Sequence, residues 1–179
     1  MVVAGCMAQQ RGEALLKEVD LVDVVIGPDN ISELPALVGH VQAGGPPIAR
    51  TVFDLEAPSF LQAHAVPLRQ EVSAYVTTMK GCDERCTYCI VPYTRGAERY
   101  RSSHEIVAEV KRLVAAGVRE VTLRGQTVNS WHEPHERDDE SRFAWLLRRI
   151  AGEVPELLRL RYTSPHPRQL LPLARAVLR

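Results

Sequence analysis

Several features typical of other protein classes are scarce or absent in this sequence of 179 residues. No stretch approaches the roughly 18 uninterrupted apolar residues that a membrane-spanning helix needs, so we expect no membrane partner. The N-terminus has no basic region and only a short apolar run, which argues against a secretory signal. We therefore expect a cytoplasmic location.

Cysteines are few, and their distribution is uneven. The chain has four of them, which is a poor basis for a disulfide framework because the cytosol keeps thiols reduced. Three of the four, Cys82, Cys86 and Cys89, lie within eight residues of one another. This clustering indicates a metal or iron–sulfur site.

The sequence also lacks a net charge, because 22 Lys and Arg residues balance 22 Asp and Glu residues. The acidic excess lies in the first 71 residues and the basic excess in the remainder. A basic excess this small is weak evidence for a polyanionic partner, since a solvated, Arg-rich helix surface accounts for it equally well. With 45% hydrophobic and 25% charged residues, the composition excludes collagen-like, low-complexity and wholly disordered classes.

The first part of the chain alternates short apolar runs with helix-forming segments. Strands are predicted near 2–6 and 22–28, and helices over 12–19 and 31–41, the second helix capped by Asn30. This alternation predicts a parallel sheet with helices against its faces over residues 1–43. Residues 44–70 combine Gly and Pro without a sustained period, which predicts an interdomain linker.

A second run of alternating elements follows from residue 71 to residue 179. It comprises predicted strands at 73–79, 119–125 and 158–162, a cysteine loop at 80–101, a polar loop at 132–141, and helices at 102–117, 143–151 and 170–178. Ser102 and Glu105 form a capping box, which makes the first of these helices well specified.

Three β/α repeats fall short of the roughly 250 residues of an eight-unit barrel. The expected fold is α/β: the C-terminal part of a small domain at 1–43, a linker at 44–70, and the first barrel units at 71–179, truncated at both ends.

The spacing of the clustered cysteines is C-x3-C-x2-C, directly after a predicted strand. Three thiolates from one loop can hold three irons of a 4Fe-4S cluster and leave the fourth iron open to a small molecule. The alternative is a structural zinc site, which needs a fourth ligand; His104 is the one candidate near in sequence. Spacing and context favour the cluster.

This motif resembles the signature of the radical S-adenosylmethionine (radical SAM) superfamily, C-x3-C-x-aromatic-C, with Tyr88 in the aromatic position. The resemblance implies that Cys82, Cys86 and Cys89 bind the cluster and that S-adenosyl-L-methionine (AdoMet) chelates the open iron. It also implies that one electron from a reducing donor cleaves AdoMet to a 5′-deoxyadenosyl radical. Tyr88 would then lie beside the adenine.

Four further sequence motifs resemble those of the radical SAM methylthiotransferases, and most of all those of the MiaB-type tRNA enzymes. These motifs are Gly5-Cys6-Met7-Ala8-Gln9, Ile90-Val91-Pro92-Tyr93-Thr94-Arg95-Gly96, Leu123-Arg124-Gly125-Gln126-Thr127-Val128-Asn129 and Tyr162-Thr163-Ser164-Pro165-His166-Pro167. The resemblance implies a transferase that inserts a methylthio group into an isopentenylated adenosine beside the anticodon of tRNA. It also implies a second 4Fe-4S cluster in the full-length protein, to which Cys6 contributes the last of three ligands.

Four more residues are candidate site residues. Gly125 and Gln126 are assigned to AdoMet binding, with a plain βα turn as the alternative. Arg95 is a candidate for substrate binding, although it could equally contact the AdoMet carboxylate, an RNA phosphate or a loop carbonyl. His166 follows a predicted strand, at the usual functional rim of a β/α barrel.

Three alternative functions stay open. A tRNA methylthiotransferase acting on threonylcarbamoyl-adenosine shares the Cys-Ile-Val-Pro-Tyr stretch, and a third branch of the family modifies a ribosomal-protein aspartate. The alternative from a different class is a non-catalytic fragment in which a metal staples the cysteine loop.

Overall fold

The computed structural model describes residues 1–53, 71–133 and 142–170. These residues form two compact units, and each is described by itself. The first unit comprises residues 1–53 and 83–97, and the second comprises residues 71–82, 98–133 and 142–170.

The first unit is built on three short parallel strands in the order β1-β2-β3. Its elements are β1 (Val2–Ala4), α1 (Cys6–Arg11), α2 (Ala14–Glu18), β2 (Val24–Ile26), α3 (Leu34–Gln42), β3 (Ile48–Arg50) and α4 (Val91–Arg95). All three residues of the central strand β2 are buried, as expected for a strand with neighbours on both sides. The predicted parallel arrangement of alternating strands and helices is therefore confirmed.

A small apolar core supports this sheet. Its buried members are Ala8, Leu15, Val22 and Val25. Ala8 lies in α1 and Leu15 in α2, so each of these short helices contributes one buried side chain. Helices of five or six residues are too short to be stable alone, and their packing against the sheet holds them.

Three elements of the first unit escaped the sequence analysis. Helix α1 begins at Cys6, the last residue of a predicted strand, α4 lies within the cysteine loop predicted at 80–101, and β3 lies within residues 44–70, which were predicted as a linker. Strand β3 pairs in parallel with β2, so the first sheet continues to Arg50. A three-residue strand is too short to show a period, which is why the flanking Gly and Pro residues dominated the prediction. Residues 54–70 of the predicted linker lie outside the described residues.

Asn30 does not cap a helix as predicted. Its side-chain Nδ2 donates to Glu33 Oε1 at 2.8 Å, and its side chain accepts no hydrogen bond from the helix backbone. A single 3-10 turn over Ile31–Glu33 comes first, and α3 starts after it, with Pro35 in its first turn. Proline suits this position because the first N–H groups of a helix have no partner within it.

The second unit contains a parallel sheet in the order β4-β7-β8 and a separate antiparallel pair, β5-β6. Its elements are β4 (Ser73–Thr77), β5 (Met79–Lys80), β6 (Arg99–Tyr100), α5 (Ser103–Ala115), β7 (Glu120–Arg124), α6 (Arg142–Glu153) and β8 (Arg159–Tyr162). The three strands predicted in this region are confirmed, and they are neighbours in the sheet in the order in which they occur along the chain. Because they are parallel, their carboxyl ends meet at one edge.

Helix α5 begins and ends as the sequence predicts. The Ser102 hydroxyl accepts a hydrogen bond from the Glu105 N–H at 3.3 Å, and Gly117 follows the helix with a φ of 105°, a conformation that favours glycine. The predicted apolar face is buried along its whole length: Ile106, Val107, Val110, Leu113 and Val114.

Helices α5 and α6 cover one continuous core. From α6, Phe143, Leu146 and Ile150 are fully buried, and Phe143 packs edge-on against Tyr162 with ring centroids 5.3 Å apart. The sheet contributes Val76, Val121 and Leu123. This apolar contact is the main stabilising interaction of the second unit.

One buried ion pair lies at the border of this core. Arg101 Nη1 is 2.6 Å from Glu109 Oε2, and the same nitrogen donates to the Thr77 carbonyl at 2.8 Å. The Arg101 carbonyl in turn accepts from the indole N–H of the buried Trp131 at 3.0 Å. The two buried charges are thus paired with each other, which offsets the cost of burying them, although the Arg101 Nε has no hydrogen-bond partner within the described residues.

Besides residues 54–70, two further predicted segments lie outside the described part of the chain. Residues 134–141 of the predicted polar loop and residues 171–178 of the predicted last helix lie outside the described residues. Within the described residues, no helix is long and apolar enough to cross a membrane.

Candidate functional site

The cysteine loop starts in the second unit, directly after a strand of its antiparallel pair. Residues 81–90 follow β5 and contain no helix or strand, with a turn at 87–88. Gly81 has a φ of 84°, which lets the chain leave β5 in a direction that other residues rarely allow.

Cys82, in the second unit, is held by the loop that follows β7. Its side chain is 8% exposed, and its Sγ lies 3.0 Å from Thr127 Oγ1, within hydrogen-bond distance. One residue earlier, the Gly81 N–H donates to Gln126 Oε1 at 2.8 Å. Two consecutive residues of one loop are therefore tied to two consecutive residues of the other.

Cys86 and Cys89, in the first unit, lie on either side of a tight turn. The Cys89 N–H donates to the Cys86 carbonyl at 3.0 Å, and both side chains are half-buried. Tyr88, between them, is 91% exposed. An aromatic ring this exposed is available to pack against a ligand.

Within the described residues, no three His, Cys, Asp or Glu side chains are gathered closely enough to hold a metal ion. The donor set itself suits a 4Fe-4S cluster, because thiolates are the usual ligands of such clusters. His104, the fourth ligand considered for zinc, is exposed on α5.

Cys6 is the first residue of α1 in the first unit, and its thiol is half-buried. Gly5 precedes it with a φ of 105°, and the Gly5 N–H donates to the Ile26 carbonyl at 3.1 Å. Cys6 thus lies at the carboxyl end of β1. In the same unit, α1 contacts α4, the helix whose last residue is Arg95. Arg95 is half-buried and interacts with neighbouring groups.

Gly125 has a packing reason to be glycine. A Cβ built on Gly125 would lie 2.4 Å from Met79 Cγ and 3.3 Å from the Val128 backbone. The side chain of Met79, which is fully buried, occupies the space that a larger residue would need. The predicted role of Gly125 in AdoMet binding stays a prediction, because this packing explains the glycine without a ligand.

His166 is positioned by a residue that sequence analysis missed. The Asn129 side chain accepts from the His166 N–H at 2.7 Å and donates to the His166 carbonyl at 2.9 Å. Two residues before His166, Ser164 has a φ of 58°, which is uncommon for a residue other than glycine. The His166 Nδ1 accepts from the Arg168 N–H at 3.3 Å. Asn129 therefore determines the path of the backbone after β8.

Thr127 and Asn129 were not among the predicted site residues, although both lie in the motif at 123–129 that resembles the methylthiotransferases. The available signal was their position directly after a predicted parallel strand, where side chains meet those of neighbouring strand ends. Their partners, Cys82 and His166, lie 45 and 37 residues away in sequence. No local pattern shows such pairings.

A surface cavity of about 410 Å³ lies elsewhere on the second unit. It is lined by Lys111, Val114, Ala115, Arg119, Glu153, Val154 and Glu156, and it includes none of the predicted site residues. At its rim, hydrogen bonds from Arg149 and Lys111 lower the pKa of Glu153 from 4.5 to about 2. The cause of this pKa shift is an exposed ion-pair network, and no residue of the cysteine loop contributes to it.

Two kinds of sequence comparison relate this chain to known proteins. Residues 76–175 match the model of the radical SAM superfamily. The chain is 60% identical, over 189 aligned positions, to the tRNA-2-methylthio-N(6)-dimethylallyladenosine synthase of Sorangium cellulosum (strain So ce56). The alignment covers 96% of this chain, and the chain spans 38% of the length of that curated relative.

Solved structures show the same fold at much lower identity. The radical S-adenosylmethionine methyltransferase TsrM from Kitasatospora setae, with cobalamin and a [4Fe-4S] cluster bound, is 17% identical with a TM-score of 0.54. That match covers 98% of this chain and 40% of the TsrM chain. A second structure of TsrM, with tryptophan and aza-SAM bound, is 19% identical with a TM-score of 0.53, covering 98% and 39% of the two chains.

Proposed function

Because the chain belongs to the radical SAM superfamily, we propose that it holds a 4Fe-4S cluster and AdoMet and takes part in adding a methylthio group to tRNA. The substrate is an isopentenylated adenosine beside the anticodon. The name of the Sorangium relative, at 60% identity, supports this substrate over the other two methylthiotransferase substrates.

The observation that carries the proposal is the cysteine spacing. Cys82, Cys86 and Cys89 lie in the C-x3-C-x2-C arrangement within the segment that matches the superfamily. Three thiolates leave one iron without a protein ligand, where the amino and carboxylate groups of AdoMet can bind. When bound, the cluster supplies the electron that begins radical chemistry on AdoMet.

The residues around the loop take supporting roles in this proposal. Tyr88, which is exposed, packs beside the adenine of AdoMet. Gln126 holds the start of the loop through the Gly81 N–H, and the turn at Gly125 and Gln126 faces the methionyl part of AdoMet. Cys6 is a ligand of a second 4Fe-4S cluster in the full-length protein. The sulfur of the methylthio group comes from the side of this second cluster.

The substrate side of the proposal concerns Arg95 and His166. His166 follows β8 at the carboxyl edge of the sheet, and its two backbone hydrogen bonds with the Asn129 side chain hold it there. This edge is where parallel β/α folds bind substrates. Arg95 supplies a guanidinium suited to an RNA phosphate. The proposal also includes a donor that reduces the cluster. It includes a cytoplasmic location as well, because the substrate is tRNA.

The first experiment tests the cluster and AdoMet. The protein is reconstituted anaerobically with iron and sulfide, reduced, and examined by EPR with and without AdoMet. We expect a 4Fe-4S signal that shifts with AdoMet, and no such signal from Cys86→Ala. A cluster whose signal ignores AdoMet, or a metal retained by Cys86→Ala, would indicate a structural metal site instead.

The second experiment tests the substrate. The protein is expressed in bacteria that make no methylthio nucleosides, and their tRNA is digested and analysed by mass spectrometry. We expect the methylthio derivative of isopentenyladenosine, and none from the Cys86→Ala strain. The methylthio derivative of threonylcarbamoyl-adenosine in its place would reassign the substrate. Unmodified tRNA together with a methylthio aspartate, found by mass spectrometry of the ribosomal proteins from the same cells, would exclude tRNA as the substrate.

A further inference from the structure

Thr127 is the polar neighbour that the structure gives to the Cys82 thiol. The two side chains come from loops 45 residues apart in sequence, and Sγ and Oγ1 are separated by 3.0 Å. Cys82 is 8% exposed and Thr127 is 1% exposed, so water is largely excluded from this contact. A hydrogen bond in such surroundings is stronger than the same bond in water.

The direction of this hydrogen bond depends on what the sulfur binds. In a free thiol, either Sγ or Oγ1 can be the donor. A cysteine that ligates iron is a thiolate and has no proton to donate, so the Thr127 hydroxyl becomes the donor. Cluster binding would thus select one of the two arrangements that the apoprotein allows.

We infer that Thr127 is a positioning residue that donates its hydroxyl proton to the Cys82 thiolate and thereby raises the reduction potential of the cluster. This inference rests on the proposed function, because it assumes that Cys82 ligates a 4Fe-4S cluster. Reduction adds negative charge to the cluster and its thiolates. A donor at a ligating sulfur stabilises that charge, and hydrogen bonds to the sulfurs are among the main determinants of cluster potentials.

The loop around Thr127 is held firmly enough for this role. The Thr127 carbonyl accepts from the Ser130 N–H at 2.9 Å and from the Ser130 hydroxyl at 2.8 Å. The neighbouring Gln126 accepts from the Gly81 N–H, which is directly before Cys82. The threonine hydroxyl and the cysteine sulfur are therefore both attached to anchored backbone.

The test measures the reduction potential of the cluster and does not depend on activity. Wild type, Thr127→Val and Thr127→Ser are reconstituted anaerobically, analysed for iron and sulfide, and titrated with reductant while the EPR signal is recorded. Valine has the shape of threonine without the hydroxyl, whereas serine keeps the hydroxyl. We expect the midpoint potential of Thr127→Val to shift to a more negative value and that of Thr127→Ser to stay near wild type.

Thr78→Val is the matched control. Thr78 is fully buried, and its hydroxyl donates to the Arg124 carbonyl at 3.2 Å rather than to a sulfur. This variant loses a buried threonine hydroxyl of the same unit, so it should lower thermal stability and leave the midpoint potential unchanged. A shift equal to that of Thr127→Val would overturn the inference, because general loosening would then explain both.

Every other result also decides the question. If Thr127→Val binds a full complement of iron and titrates like wild type, the hydroxyl does not influence the cluster and the inference is wrong. If the valine variant loses iron and the serine variant keeps it, the hydroxyl supports the thiolate; equal losses would indicate a packing role and overturn the inference. If wild type binds no cluster, the proposed function itself fails.

Discussion

Two regions of the second unit are held together in different ways. Between the sheet and helices α5 and α6, apolar side chains such as Phe143 and Ile150 form a continuous core. At the carboxyl ends of β4, β7 and β8, the loops are joined by hydrogen bonds between groups 37 to 45 residues apart in sequence. The core thus depends on buried area, whereas the loop edge depends on the positions of individual polar atoms.

Because of this difference, the residues that stabilise the second unit are largely distinct from those that form its candidate site. Apolar burial has no preferred direction, so the core can accept many residue combinations of similar volume. A hydrogen bond is lost when either partner moves by a fraction of an ångström, so the loop edge requires particular residues. We therefore expect core variants to change the free energy of unfolding and loop variants to change the site as well.

The largest effect is expected from a core variant. Phe143→Ala should lower the free energy of unfolding by about 3–5 kcal/mol, because it leaves a cavity where a fully buried ring packs against Tyr162. Trp145→Ala, on the same helix at a position that is 40% exposed, should cost less. Urea denaturation measures both, and equal losses would contradict the assigned core.

A smaller effect is expected at the loop edge. Gly125→Ala should cost about 1–3 kcal/mol, because its new Cβ would overlap Met79 Cγ. The same change made in a Met79→Ala background should cost less, since the methionine side chain that it meets has been removed. A double-mutant cycle in urea tests this coupling without any cofactor. An identical cost in both backgrounds would mean that Gly125 is glycine for another reason.

A still smaller effect is expected at the N-terminus of α5, a helix that packs on the core. Ser102→Ala should cost about 1 kcal/mol, because the Glu105 N–H loses its side-chain acceptor. Ser102→Asp should be close to wild type, since aspartate caps a helix as well as serine does. Thermal unfolding followed by circular dichroism measures both variants, and a similar loss in both would argue against the cap.

The smallest effect is expected at the surface, at Glu153. Arg149 and Lys111 lower its folded-state pKa to about 2, below the ordinary value of 4.5. A lowered pKa contributes stability at pH values above 4.5, and this contribution disappears as the pH falls toward 2. Glu153→Gln should therefore be slightly less stable than wild type at pH 7 and equal to it near pH 2. Urea midpoints at the two pH values test this, and a difference that persists near pH 2 would contradict it.

The fold was predictable wherever a pattern was long enough to have a period. Helix α5 has a cap, a buried face and a terminal glycine, all of which lie within sixteen residues, and the structure confirms each of them. Strand β3 and helix α1 have three and six residues, too few to show a period, and both were missed. Their existence depends on pairing with β2 and packing on the sheet.

The candidate site was predictable in its chemistry and not in its contacts. The spacing of Cys82, Cys86 and Cys89 predicts three thiol ligands, because cysteines clustered in a short stretch of chain are typical of iron–sulfur sites. The contact between Thr127 and Cys82, in contrast, joins loops that the fold brings together. The same holds for Asn129 and His166.

The sequence alone determined the three parallel strands and the helices α5 and α6 of the second unit, the apolar face of α5, and which cysteines stand together. These properties depend on neighbours within a few residues, through helical and strand periods, capping and ligand spacing. Only the tertiary structure decided that Met79 occupies the space beside Gly125, that Thr127 meets Cys82, and that Asn129 holds the backbone at His166. Those contacts arise because parallel strands bring their carboxyl ends to one edge, where residues far apart in sequence become neighbours.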